Sequence, residues 1–162
     1  LKLDFINYPK FPFEEKQLKA LITHIVTLGK DYPIIFPVHP RTQKLLSGLN
    51  LNFENLHYVH PLGYLEFNYL VKHALSVITD SGGITEETTV MNVPCMTLRD
   101  NTERPETCHI GTNVLVGNDS NKIENAFKIL LSGTWKQGEI PELWDGHTAE
   151  RIIDHIAHLY KL

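Results

Sequence analysis

No apolar run in the sequence approaches the roughly 20 residues needed to cross a bilayer, which excludes a membrane-spanning helix. Cysteine is scarce. Cys95 and Cys108 are the only two and form no CxxC pair, so a disulfide framework is excluded and reduced thiols in a cytoplasmic protein are expected. Positive charge is not in surplus either. Fifteen Lys and Arg stand against nineteen Asp and Glu, a net charge of −4, which argues against a broad basic face for nucleic acid and requires any anion to be bound locally. Internal repeats and low-complexity segments are absent. The nine histidines do not fall into a ligand pattern: His155 and His158 stand at i, i+3 with no third ligand in view, and no metal is assigned. The first residue is Leu1 rather than Met, and no charged segment leads into an apolar stretch, so the expectation is a fragment without a signal peptide.

What is present is enough for one core. A chain of 162 residues with 42% hydrophobic content buries roughly 70% of its extended surface as a single domain. Short apolar runs bounded by Pro, Gly and Asp alternate with stretches of helical period, the pattern of a parallel sheet covered on both faces. Strands are expected near Leu3 to Ile6, Pro33 to Val38, Leu56 to Val59, Ser76 to Thr79, Cys95 to Leu98 and Asn113 to Val116. Leu18, Leu21, Ile22, Ile25 and Leu28 form the stripe of an amphipathic helix that stops at Gly29, a favourable C′ residue. Later helices are expected over Thr42 to Leu49, Tyr64 to Ala74, Ile84 to Met91, Lys122 to Leu131 and Ala149 to Tyr160. The longest irregular stretch, Ser132 to Asp145, is read as the path by which the last helix crosses back over the domain. The fold class is therefore α/β, a Rossmann-like doubly wound parallel sheet of about six strands.

In such sheets ligands bind at the carboxyl ends of the strands, where helix N-termini present unpaired N–H groups. Asp80-Ser81-Gly82-Gly83 follows a strand and opens a helix, so two glycines permit close backbone approach and Ser81 offers a hydroxyl: an anion cradle, or simply a capped tight turn. Glu86 and Glu87 follow within a turn or so. Glu86 suits the helix dipole, whereas Glu87, turned towards a ribose, can accept hydrogen bonds from both sugar hydroxyls. The tract Arg99 to Glu106 is too polar for core and is read as a rim loop. Its arginines suit a diphosphate, Arg104 above all, and ion pairing with Asp100, Glu103 or Glu106 is the equally simple alternative. Phe67 is either a base-stacking ring or core. His39, between Pro37 and Pro40, lies at a strand end near the crevice, or is an ordinary loop histidine.

Taken together, PVHPRT, PLGYLEF, TDSGGITEETTVMNVPCMTLRDNTERPET, GTNVLVG and WDGHTAERI resemble the C-terminal half of the non-hydrolysing UDP-N-acetylglucosamine 2-epimerases over nearly the whole chain. The resemblance implies one half of a two-domain glycosyltransferase-B-type fold: residues 1–162 as a single UDP-sugar-binding domain, the N-terminal Rossmann-like domain being absent. It implies that Ser81, Gly82 and Gly83 bind the diphosphate, Glu87 the ribose and Phe67 the uracil, with Arg104 in the same pocket and His39 contacting a second, regulatory UDP-sugar. It also implies a reaction without cofactor, in which UDP is eliminated from UDP-N-acetylhexosamine and added back after C2 has been reprotonated. Base and acid carboxylates are expected in the absent half, and a homodimer is expected from the family habit. Two positions depart from the pattern. Asn7-Tyr8-Pro9-Lys10-Phe11 stands where the family carries an HRxxN-type segment, so its substrate-binding histidine is missing, and Leu62 replaces a residue that is polar in some members. The rival readings are a non-catalytic sugar-nucleotide-binding module and the donor half of a UDP-sugar glycosyltransferase.

Overall fold

In the computed structural model, which describes residues 3–7, 15–38 and 40–160, the short apolar runs pair side by side in parallel. The order along the chain is β1 (Leu3–Asn7), α1 (Glu15–Leu28), β2 (Ile34–Pro37), α2 (Pro40–Leu49), β3 (Leu56–Val59), α3 (Tyr64–His73), β4 (Ala74–Thr79), α4 (Gly82–Val90), β5 (Cys95–Thr97), α5 (Pro105–His109), β6 (Asn113–Leu115), α6 (Ser120–Leu131) and α7 (Thr148–Tyr160). The strands form one six-stranded sheet in the order β3-β2-β1-β4-β5-β6, every pairing parallel. This is the doubly wound order of a Rossmann sheet, and its direction of winding reverses between β1 and β4.

Alternation along β4 shows how both faces are covered. Val77 and Ile78 point to opposite sides and enter different clusters. The larger cluster joins Ile78, Ile34, Phe36 and Met96 to the stripes of α1 (Leu18, Ile22, Ile25) and α6 (Ile123, Phe127, Leu130). The smaller one joins Val77 to Val71 of α3, Ile84 of α4 and Val93. Helix α6 is fixed at its start by Asp119, whose carboxylate accepts from the N–H groups of Asn121 (2.9 Å) and Lys122 (3.2 Å). Asp119→Ala removes that cap and is expected to lower stability by about 1 kcal/mol, read as a fall in the urea midpoint at unchanged slope.

Some expectations change. Gly29 follows the last residue of α1 but is not left-handed; the turn closes through the Tyr32 N–H on its carbonyl (2.9 Å). The rim tract is a loop only to Arg104, since Pro105 and Glu106 open α5, where a proline at N1 gives up an N–H that has no helical partner. The last helix does not pack back over the domain. Helix α7 buries none of its residues, and Ile152, Ile153, Ile156 and Leu159 are exposed. Among the described residues no helix is long and apolar enough to cross a membrane.

Candidate functional site

The chain leaves β4 at Thr79, whose buried hydroxyl accepts the N–H of Ser81 (3.0 Å) and so turns the backbone into α4. Ser81 is the N-cap residue in extended conformation (φ −89°, ψ 122°), yet its side chain makes no cap bond, and the first turn of α4 holds no acidic residue. A Cβ on Gly83 would meet nothing within 4 Å, and one on Gly82 would meet only the Glu103 carboxylate at 3.4 Å. That carboxylate is held by a forked pair from Arg99, at 3.0 and 3.3 Å. The half-exposed N-terminus of α4 thus offers uncapped backbone donors behind glycines, with a guanidinium close by.

Further along α4 the surface changes character. Glu86 receives the Arg104 Nε–H, and this bond pushes the pKa of the guanidinium up. Partial burial raises the pKa of Glu87, and the neighbouring Glu86 adds to the rise. Glu87 and Arg104 lie in one cleft of about 720 Å³, walled by Tyr64, Met91, Leu143 and Trp144. Glu86, Glu106 and Glu142 also line it, so among the described residues four carboxylates share the cleft with one guanidinium. An acidic cleft with apolar walls repels phosphate and suits uncharged, hydroxyl-bearing groups; a phosphate belongs instead at the helix start.

Of the residues singled out from the sequence, Ser81, Gly82, Gly83, Glu87 and Arg104 therefore gather around one helix, the first three at its tip and the last two on its flank. Phe67 packs, half-buried, against the smaller cluster to which Ile84 of α4 also belongs, outside the residues that line this cleft. His39 and the segment Tyr8 to Phe11 lie outside the described residues. A second cleft, of about 330 Å³, lies at the ends of β2 and β3 between Val38, Tyr58, His60 and Leu46. The pairing of Arg104 with Glu86 was not among the alternatives weighed from the sequence, because the two are 18 residues apart and meet only through the packing of α5 on α4. Trp144 opens the WDGHTAERI motif but carries no mark of a cleft position, and Glu142 carries none beyond its place in a long polar loop.

A family profile described as UDP-N-acetylglucosamine 2-epimerase matches residues 10–157. A UDP-N-acetylglucosamine 2-epimerase of Methanococcus maripaludis is 49% identical over 146 residues, which are 85% of this chain and 39% of that protein. A UDP-2,3-diacetamido-2,3-dideoxy-D-glucuronate 2-epimerase of Pseudomonas aeruginosa is 35% identical over 78% of the chain and 35% of its own length. Among solved structures, the Methanocaldococcus jannaschii UDP-GlcNAc 2-epimerase in complex with UDP-GlcNAc and UDP superposes with a TM-score of 0.83 at 36% identity, covering 97% of this chain and 45% of that one. The chain thus spans less than half the length of each of these relatives.

Proposed function

Since this chain belongs to the UDP-N-acetylglucosamine 2-epimerase family, we propose that it is the nucleotide-binding half of such an enzyme, working in the cytoplasm with an N-terminal Rossmann-like domain to interconvert UDP-GlcNAc and UDP-ManNAc. The observation that carries this reading is the division of labour along α4: an uncapped, glycine-lined N-terminus for the diphosphate, then Glu87 on an acidic wall for the ribose. Departure of UDP from C1 places growing negative charge on the β-phosphate. Oriented N–H groups and the Ser81 hydroxyl at the helix tip stabilise that charge where it forms, and they need not reorganise to do so. Arg99, whose partner Glu103 lies beside Gly82, adds positive charge at the helix tip, and Arg104 adds it from the flank by turning from Glu86 to a diphosphate bound at that tip. The proton at C2 is handled by carboxylates of the other domain, which leaves this half to bind UDP, hold it while the sugar is a glycal, and return it. Phe67, half-buried against the smaller cluster, is assigned to the uracil end of the nucleotide.

The test is a thermal-shift titration of the chain with UDP, UDP-GlcNAc and ADP. UDP at 100 times its Kd is expected to add about 2.7 kcal/mol, a rise in Tm of roughly 5 to 10 °C, with ADP far weaker. No shift at millimolar UDP would count against a preformed site. One observation favours a non-catalytic variant of this reading, Asn7 in place of the expected histidine; turnover of UDP-GlcNAc by the chain joined to an N-terminal domain separates the two.

A further inference from the structure

Behind the cleft runs a file of buried polar side chains that the proposed function does not use. Thr97 on β5 donates its hydroxyl proton to Asn113 Oδ1 (2.6 Å). Asn113, fully buried on β6, donates through Nδ2 to Thr107 Oγ1 (3.2 Å) and towards Cys108 Sγ (3.4 Å). Thr107, fully buried in α5, donates its hydroxyl proton to the Arg104 carbonyl (2.7 Å), which also accepts the Thr107 N–H (3.0 Å).

The order of donors is forced. A threonine hydroxyl has one proton; Thr107 gives its own to Arg104 and must therefore accept from Asn113, which fixes the amide with its nitrogen towards α5 and its oxygen towards β5. A buried amide is costly unless its groups are paired, and a valine or isoleucine would fill a strand position at no such cost. The paired amide has a definite product: it ties two strands to the backbone of the residue that caps α5. That residue is Arg104, and its guanidinium leaves this anchored point to cross to Glu86 in the cleft wall. The side chain itself is more than half exposed, so the anchor under its backbone decides where its head can reach.

We propose that Asn113 is a positioning residue for Arg104, acting through Thr107, and that it thereby tunes the affinity of the site for the diphosphate of a nucleotide. The inference rests on the nucleotide-binding reading above and adds to it a residue that never touches ligand.

A double-mutant cycle tests it. Arg104→Ala is expected to weaken UDP binding by about tenfold or more, the scale of one lost charge-assisted contact. Asn113→Ala is expected to weaken it about three- to tenfold in the native background and by less than about twofold once Arg104 is gone, since coupled sites fail to add. Thr107→Val, which removes the hydroxyl at constant shape, is expected to behave as Asn113→Ala does and covers the case in which the latter folds poorly. The second readout needs no ligand. The Nε–H resonance of Arg104 in the free chain shifts or broadens in Asn113→Ala and Thr107→Val, but keeps its place in Ile25→Ala, a destabilising change in the other cluster. Equal losses of UDP affinity in both backgrounds, no loss in either, or an unmoved Arg104 resonance each overturn the proposal. Should Arg104→Ala leave UDP affinity intact, the diphosphate reading fails at that residue, and the resonance comparison still decides whether Asn113 fixes Arg104.

Discussion

Glu87→Ala removes most of the stabilisation that UDP gives the chain while leaving the Tm of the ligand-free protein unchanged or slightly raised. The free protein gains because Glu87 is held at a cost: partial burial disfavours its charge, and Glu86 repels it. The complex loses because an ionised carboxylate on the cleft wall is the acceptor that two vicinal sugar hydroxyls require. Hydrogen bonds to a charged group are worth about 1.5 to 3 kcal/mol each, so a loss of about 3 kcal/mol, roughly 100-fold in affinity, is a conservative expectation. The same residue sets a pH dependence whose sign follows from its raised pKa. Ribose hydroxyls bind the ionised form, so protonation competes with ligand; affinity is complete well above the pKa of Glu87 and is lost as the pH falls through it. Because that pKa is raised, the loss sets in at a higher pH than it would for an unperturbed glutamate. Calorimetric titration of UDP against pH, with Glu87→Gln as the reference that also carries the protonation of UDP itself, isolates the effect. A variant as pH-dependent as the native chain would rule out a ribose contact through this carboxylate.

Gly111→Ala is expected to be among the most damaging single-methyl changes in the chain. A Cβ at that position would lie 2.5 Å from Thr89 Oγ1, 2.6 Å from Thr89 Cγ2 and 2.8 Å from the Thr107 carbonyl. Neither neighbour can retreat cheaply. Thr89 is buried in α4 with its hydroxyl on the Thr85 carbonyl (2.8 Å), and Thr107 belongs to the short helix that Asn113 ties to the sheet. Overpacking of this kind costs about 1 to 3 kcal/mol, and the upper end is expected because one of the contacts is backbone, giving a Tm roughly 6 to 12 °C lower. Gly83→Ala is the control: its methyl group meets open space, and the Tm should hold or rise slightly from the better helix propensity of alanine. A Gly111→Ala protein that melts with the native one would show that α4 and α5 are free to separate there.

Apolar runs made the strands legible. Leu56–Val59 has the bounds expected of it, and the other strands differ by only a residue or two at either end; the central strands β4 and β5, buried on both faces, write short hydrophobic segments, while the edge strand β3 is marked by its flanking turn residues. Helix α5 was not legible: five residues, PETCH, carry too little periodicity to register, and Pro105 at N1 was the one cue. The tip of α4 could be located because a strand, two glycines and a helix follow in immediate succession. Its flank was legible only in Glu87 and Arg104, since the pairing of Arg104 with Glu86 and the place of Trp144 in the cleft arise only after distant segments have packed. Helix α7 shows the complementary limit. Ile152, Ile153, Ile156 and Leu159 announce an amphipathic helix, but periodicity alone does not say what the apolar face meets, and among the described residues it meets nothing that buries it.

The parallel pairing of β1 with β4 has a bearing on how the chain acquires its shape. Those two strands form the seam between the halves of the sheet, and Leu3 finds Ala74 about 70 residues away. No hairpin anywhere in the sheet supplies a local start, since every neighbouring pair of strands is separated by a crossover. Each half, β1 to β3 and β4 to β6, has to close its own loops before interstrand contacts repay the lost chain entropy, and the seam imposes the longest closure of all. The switch point from which α4 projects is therefore also where assembly is most expensive in chain entropy, although the turn at its tip, from Thr79 to Ser81 to Thr85, is tied by bonds local to the second half.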